Sequence, residues 1–227
     1  MISLVLATLF FVGIHLFVSG TKLRDAITDR IGELPYMGLF AVASLVGMIW
    51  MCSAYSDAPS IELWGDLPGA PLFALVGTFV GFVLAVLGFT TPSPTAAGGE
   101  ALLDSDDPCK GILRVTRHPA MWGIAIWAFV HIPANGDAAS LVFFAGLCGL
   151  ALSGPGAIDR KRARKLGDRW ERFAAVTSNV PFGAIRDGRN QLVFGELGMW
   201  RLVASVVVWA GFLASHDALF DVAPFAF

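Results

Sequence analysis

His118 stands in the run Arg114-Val-Thr-Arg-His-Pro-Ala-Met-Trp-Gly123, where a long polar connection meets an apolar helix. Proline is favoured at the first helical position, because its missing N–H would have no partner there. Pro119 therefore opens a helix, and His118, held out of the α region by the proline that follows, is its capping residue. Arg117 and the positive end of that helix favour the neutral imidazole at this position. A neutral imidazole at such a place is a good metal ligand or polar contact.

The other three histidines are sorted by depth. His15 lies five residues before Gly20, roughly 8 Å inside the first apolar run at 1.5 Å per residue. Ionisable residues at that depth face the protein interior and have a partner. His118 belongs to the same side, whereas His131 is roughly 20 Å further along its helix and His216 falls near the opposite face with it. Two pairs follow: an inner one (His15, His118) and an outer one (His131, His216). The residues alone leave two readings of the inner pair open. One is a hydrogen-bonded buried histidine plus a helix cap. The other is a pair of axial ligands to one haem iron, with nearby arginines neutralising the propionates. The outer pair reads as interfacial histidines, and Asn135-Gly-Asp137 as a tight turn.

The elements that must position these residues are membrane spans. Hydrophobic residues make up 56% of the 227, and the mean hydropathy is +0.67, above the roughly 45–50% apolar content of soluble domains. Six apolar stretches predict an all-α, polytopic helix bundle: 2–19, 35–55, 71–89, 119–132, 140–158 and 198–220. The fourth is short, which calls for tilt or shielding by neighbours. All 16 Lys and Arg fall after the first, third and fifth stretches or at the mouth of the sixth, while the loops 56–70 and 133–139 carry only acids. Basic loops mark the cytoplasmic side, so six spans with both termini outside are expected. The first stretch has no basic residue before it and reads as an uncleaved span.

Residues 159–177 are basic, with Ala163, Leu166, Trp170, Phe173, Ala174 and Thr177 at helical spacing. That pattern predicts one amphipathic helix in the inner interface. Residues 90–99 read as a flexible linker. Cys52, Cys109 and Cys148 are far apart and form neither a disulfide framework nor a CxxC or CxxCH motif. No Ser-His-Asp order, Walker loop, Rossmann fingerprint or HExxH is present. The expected partners are the lipid bilayer and an apolar small-molecule or gas substrate; nothing points to nucleic acid.

Four segments carry a resemblance: Gly111 to His131 (GILRVTRHPAMWGIAIWAFVH), Ala134 to Asp137 (ANGD), Ile158 to Arg162 (IDRKR) and Ser178 to Phe182 (SNVPF). From the first span to at least Phe182 the chain resembles the NnrU family of bacterial multi-pass membrane proteins, associated with denitrification and nitric oxide metabolism. That family is similar to 15-cis-zeta-carotene isomerase, a membrane enzyme carrying haem b on the histidine of an R-H-P motif and on one near the start of the chain. By motif match the resemblance implies haem b on His118 and His15, with Arg114 or Arg117 near the propionates. A more distant likeness to isoprenylcysteine-type membrane methyltransferases implies S-adenosylmethionine at Arg117, His118 and Asp159. Here Asp159-Arg160 stands where an acidic pair is expected. The expectation is a haem-b protein of isomerase or redox type, against a methyltransferase and a cofactor-free assembly factor.

Overall fold

The computed structural model describes residues 1–222. It is helical throughout, with one isolated bridge between Glu62 and Asp137 as its only extended pairing among the described residues. Helix α1 (Ile2–Gly13) runs into a π-helical turn, Ile14–Ser19, followed by α2 (Lys22–Ile31) and α3 (Glu33–Ser56). Then come α4 (Ala70–Thr90), α5 (Pro119–Asn135), α6 (Ala138–Leu166), α7 (Asp168–Val176), the single turn α8 (Gly183–Arg186) and α9 (Met199–Phe220). Five of them are long and apolar enough to cross a membrane: α1 with its π turn, α3, α4, α6 and α9. The fourth expected span is α5, whose 17 residues rise about 26 Å, short of a bilayer's hydrocarbon core of about 30 Å.

Its neighbours shield α5. Glycines bring it against α4 with backbone touching backbone: a Cβ on Gly123 would sit 2.5 Å from the Gly81 carbonyl oxygen and 2.6 Å from the Ala85 nitrogen. One on Gly81 would meet the Gly123 carbonyl oxygen at 2.9 Å. Small residues at such contacts are how helices associate where lipid offers no hydrophobic contrast. The other face of α5 lies on α6, which also meets α1; α3 covers α1, and α9 covers α4. Leu4, Ala7, Phe11, Met51, Ala128, Phe143 and Phe144 fill the core between these helices. Large side chains pointing outward, such as Leu39, Val46, Val207 and Phe212, suit lipid contact.

The turn after α5 follows its sequence. Gly136 takes φ +72°, and Asp137 caps α6 by accepting from the Ala139 and Ser140 amides. The basic segment differs from the single interfacial helix expected over 159–177. No breaker follows Ile158, so α6 continues to Leu166 and stops only where Gly167 takes φ +49°, with α7 starting beyond it. Trp170 and Phe173 of α7 are buried against Leu103, Cys109 and Leu113. The apolar face therefore covers the 90–117 connection instead of lying in lipid. Nor is 90–99 a free linker: Ser93 and Pro94 are buried, Thr95 donates to the Arg117 carbonyl, and Arg162 donates to that of Ala96.

Candidate functional site

Pro119 is the first residue of α5 and His118 its cap, as the motif predicts. The turn before it is clasped by the distant segment 178–182. The Arg117 amide donates to the Ser178 carbonyl, the Phe182 amide to that of Val115, and the Thr116 hydroxyl and Trp122 indole both to that of Asn179. Thr116 also accepts from the His118 amide. Phe182 adopts φ +62° to close the clasp, a left-handed backbone that is uncommon for a bulky side chain and is sustained by the surrounding bonds.

This clasp aims Arg117 and His118 at one carboxylate, Asp159 on α6. His118 is buried, and its Nε2–H donates to Asp159 Oδ1 at 2.7 Å. Arg117 donates to Oδ2 from Nε at 2.9 Å and from Nη2 at 2.6 Å. Both oxygens are thus taken by charge-assisted donors. Motifs far apart in sequence, at 114–119, 158–162 and 178–182, converge here.

His15 lies in the π turn, on the same stripe as Leu4, Ala7 and Phe11. Its Nδ1–H donates to the Phe11 carbonyl at 2.7 Å, and its ring is held between Phe11 (4.5 Å between centroids) and Phe40 (5.1 Å). π turns inside helices occur frequently at functional sites. The π turn contacts α6, where a Cβ on Gly20 would sit 3.5 Å from the Ala157 Cβ, two residues before Asp159. Helix α6 is therefore the wall shared by the elements that carry His15 and His118.

Both expected arginines make ion pairs. Arg114 uses every guanidinium nitrogen elsewhere: Glu196 at 2.7 and 2.9 Å, Asp107 at 2.8 Å and Asn190 at 3.1 Å. It ties the connection to the segment before α9. That pairing, working against partial burial, holds the Glu196 carboxyl below its usual range. Nearby, burial pushes the Cys109 thiol up, which suits an inert structural cysteine. The outer histidines stand apart from the cluster: His131 stacks on Trp127 and Phe144, and His216 on Phe220. Sequence reading undervalued Asp159. Its signals were an acid at the inner end of an apolar helix, at the head of an otherwise basic run, and its place beside Arg117 and His118 in the methyltransferase likeness.

The donor set fits a haem iron in one respect. In His15 and in His118, one ring nitrogen is fixed as a donor to an oxygen, and the other makes no hydrogen bond among the described residues. Metal-bound histidines show this arrangement, in which the second partner fixes the tautomer and raises the basicity of the ligating nitrogen. Among the described residues no three His, Cys, Asp or Glu side chains gather as a metal cage.

Comparison with known proteins agrees with the motif assembly. The 15-cis-zeta-carotene isomerase of Arabidopsis thaliana is 29% identical over 199 residues, covering 84% of this chain and 52% of that protein. The Zea mays isomerase is 28% identical over 196 residues, with the same coverage. The chain thus spans about half the length of the curated relatives it matches. No solved structure matches it. The sequence profile described as NnrU protein matches residues 3–224, from the first span through the clasped R-H-P turn to the last helix, and by that match this chain belongs to the NnrU family.

Proposed function

We propose that this chain is a six-span membrane protein that binds haem b, with His15 and His118 as the axial ligands. The observation that carries the reading is that the two imidazoles lie against the same end of α6, Gly20 beside Ala157 and His118 on Asp159. Each has one nitrogen anchored on oxygen and the other without a partner among the described residues, an anchoring that His131 and His216 share. Bound haem would supply an iron centre able to act as a Lewis acid or a one-electron redox group beside apolar helices. The chain's own part is orientation. The Phe11 carbonyl sets the His15 ring, Asp159 sets that of His118, and Arg117 holds the Asp159 carboxylate in place. Arg117 is thus a positioning residue, and Arg114 holds the cytoplasmic cover. The name of the curated relatives supplies the reaction class, isomerisation of a double bond in an apolar substrate, and the family's association with nitric oxide metabolism makes a small gas the alternative ligand. The sorting of basic loops supports both termini lying outside, and the resemblance to bacterial NnrU proteins supports a bacterial cytoplasmic membrane.

One observation favours a second reading. Arg117, His118 and Asp159, the residues named for S-adenosylmethionine, do meet, and Arg117 borders a polar groove of about 380 Å³ with Ser178 and Asn179. Against it, both Asp159 oxygens already accept from the chain's own Arg117 and His118. Absorption spectra of the protein purified in mild detergent, oxidised and then reduced, separate the readings. A Soret band that disappears in both His15→Ala and His118→Ala is the expected result. A colourless, folded protein that binds S-adenosylmethionine in calorimetry would replace it with the methyltransferase. A colourless protein inert to both would leave an assembly factor.

A further inference from the structure

Arg117 has one nitrogen to spare. Its Nε and Nη2 are fixed on Asp159, which holds the side chain in one orientation, while Nη1 has no hydrogen-bond partner among the described residues and is open to solvent. The polar groove of about 380 Å³ that Arg117 borders is walled also by Asn179, Val180, Arg186, Asp187 and Arg189. The Asn179 side chain accepts from the Trp122 indole through Oδ1, and its Nδ2 donors are unused among the described residues. Arg186 is 84% exposed and meets only Asp187, through Nε at 3.4 Å, so both its terminal nitrogens are free. Arg189 is more committed: Nη1 donates to the Ala175 and Thr177 carbonyls, and Nη2 donates to Asp187. Three guanidinium groups and one amide therefore surround a groove whose wall holds a single carboxylate, Asp187.

Charge and surroundings together select the occupant. Unused guanidinium and amide donors suit an oxyanion, and arginine is the residue best matched to phosphate. The groove is also rimmed by apolar side chains: Val180 and Phe182 are both exposed. Their segment is hydrogen-bonded to the turn that opens α5, which places it where a helix leaves the bilayer and headgroups lie. Exposed apolar side chains beside arginines at that depth match a molecule with an anionic end and acyl tails. We propose that this groove binds the phosphate of an anionic glycerophospholipid. Arg117 and Arg186 donate to the phosphate oxygens, and the acyl chains run past Val180 and Phe182 into the bilayer. The site stands on the groove, its unused donors and its apolar rim, and needs neither haem nor a methyl donor.

The test titrates the full chain in neutral detergent with three probes and counts bound molecules by native mass spectrometry. The probes are dioleoylphosphatidylglycerol, dioleoylphosphatidylcholine and glycerol 3-phosphate. One phosphatidylglycerol is expected to bind about tenfold more tightly than phosphatidylcholine, whose choline cation would face Arg186, and glycerol 3-phosphate more weakly than either. Arg186→Gln should weaken phosphatidylglycerol about tenfold while melting with the parent, since Arg186 is exposed and has one long contact. Val180→Asp, which sets a carboxylate in the groove wall at an exposed position, should abolish the binding. Arg164→Gln removes an exposed arginine outside the groove and should leave it unchanged. Equal affinity for the two lipids, or equal losses in Arg164→Gln and Arg186→Gln, would mean diffuse attraction to a basic surface and overturn the proposal. Glycerol 3-phosphate binding as tightly as phosphatidylglycerol would mean a small-anion site and overturn it as well.

Discussion

Asp159 and His15 make opposite demands at the level of single residues. Removing Asp159 would leave Arg117, a guanidinium only 14% exposed, without its counter-charge. Breaking one side of a partly buried pair costs about 2–4 kcal/mol, so Asp159→Ala should melt well below the parent, and Asp159→Asn between the two. His15 bonds only to a carbonyl of its own helix, a contact worth about 1 kcal/mol. His15→Ala should therefore retain nearly the parent's thermal midpoint while losing the proposed cofactor. A large stability loss would instead make His15 a structural residue. Glu196 adds a pH dependence. Its folded pKa lies below the unfolded value of about 4.3, so its pairing with Arg114 stabilises fully above that value and fades as pH falls through the folded one. Between about pH 5 and pH 3, the parent's thermal midpoint should fall more steeply than that of Glu196→Gln.

Among the elements, α5 is the informative one. It is too short to span a bilayer comfortably, and it is held by the glycine contact with α4. A Cβ at Gly123 meets only backbone atoms, which cannot swing aside, so Gly123→Ala should cost about 1–3 kcal/mol or more. Gly149, where an added Cβ meets nothing within 4 Å, should accept alanine with no loss. Thermal unfolding of the two variants side by side checks the contact. Most of this layer was legible in the sequence: apolar runs, Pro119 as a helix start and Gly136-Asp137 as a turn followed the usual local rules. The split of the basic segment at Gly167 was not, because an amphipathic pattern gives a buried face without saying what buries it. Lipid and the 90–117 connection pose the same hydrophobic demand on Trp170 and Phe173.

For the whole molecule, the candidate site forms where α5, α6 and the 178–182 segment meet, and its legibility was uneven. His118 announced itself through the R-H-P turn. The bond to Asp159 spans 41 residues, and no local spacing predicts a contact at that range. The Arg114 partner, Glu196, lies 82 residues away and had no local signal for the same reason. Topology can be checked directly. In a background with Cys52, Cys109 and Cys148 replaced, Ser60→Cys should react with a membrane-impermeant maleimide from the outside of intact cells, and Arg164→Cys only after the membrane is opened. The reverse pattern would invert the proposed orientation and leave the fold unchanged.

The central claim is that His15 and His118 grip one iron, and paramagnetic resonance of the oxidised, purified protein addresses it most directly. The account predicts a low-spin ferric signal of bis-imidazole type. In His15→Gly and in His118→Gly that signal should be lost, and added free imidazole should restore it. A signal indifferent to both substitutions, or no haem signal from the folded parent protein, would contradict the account.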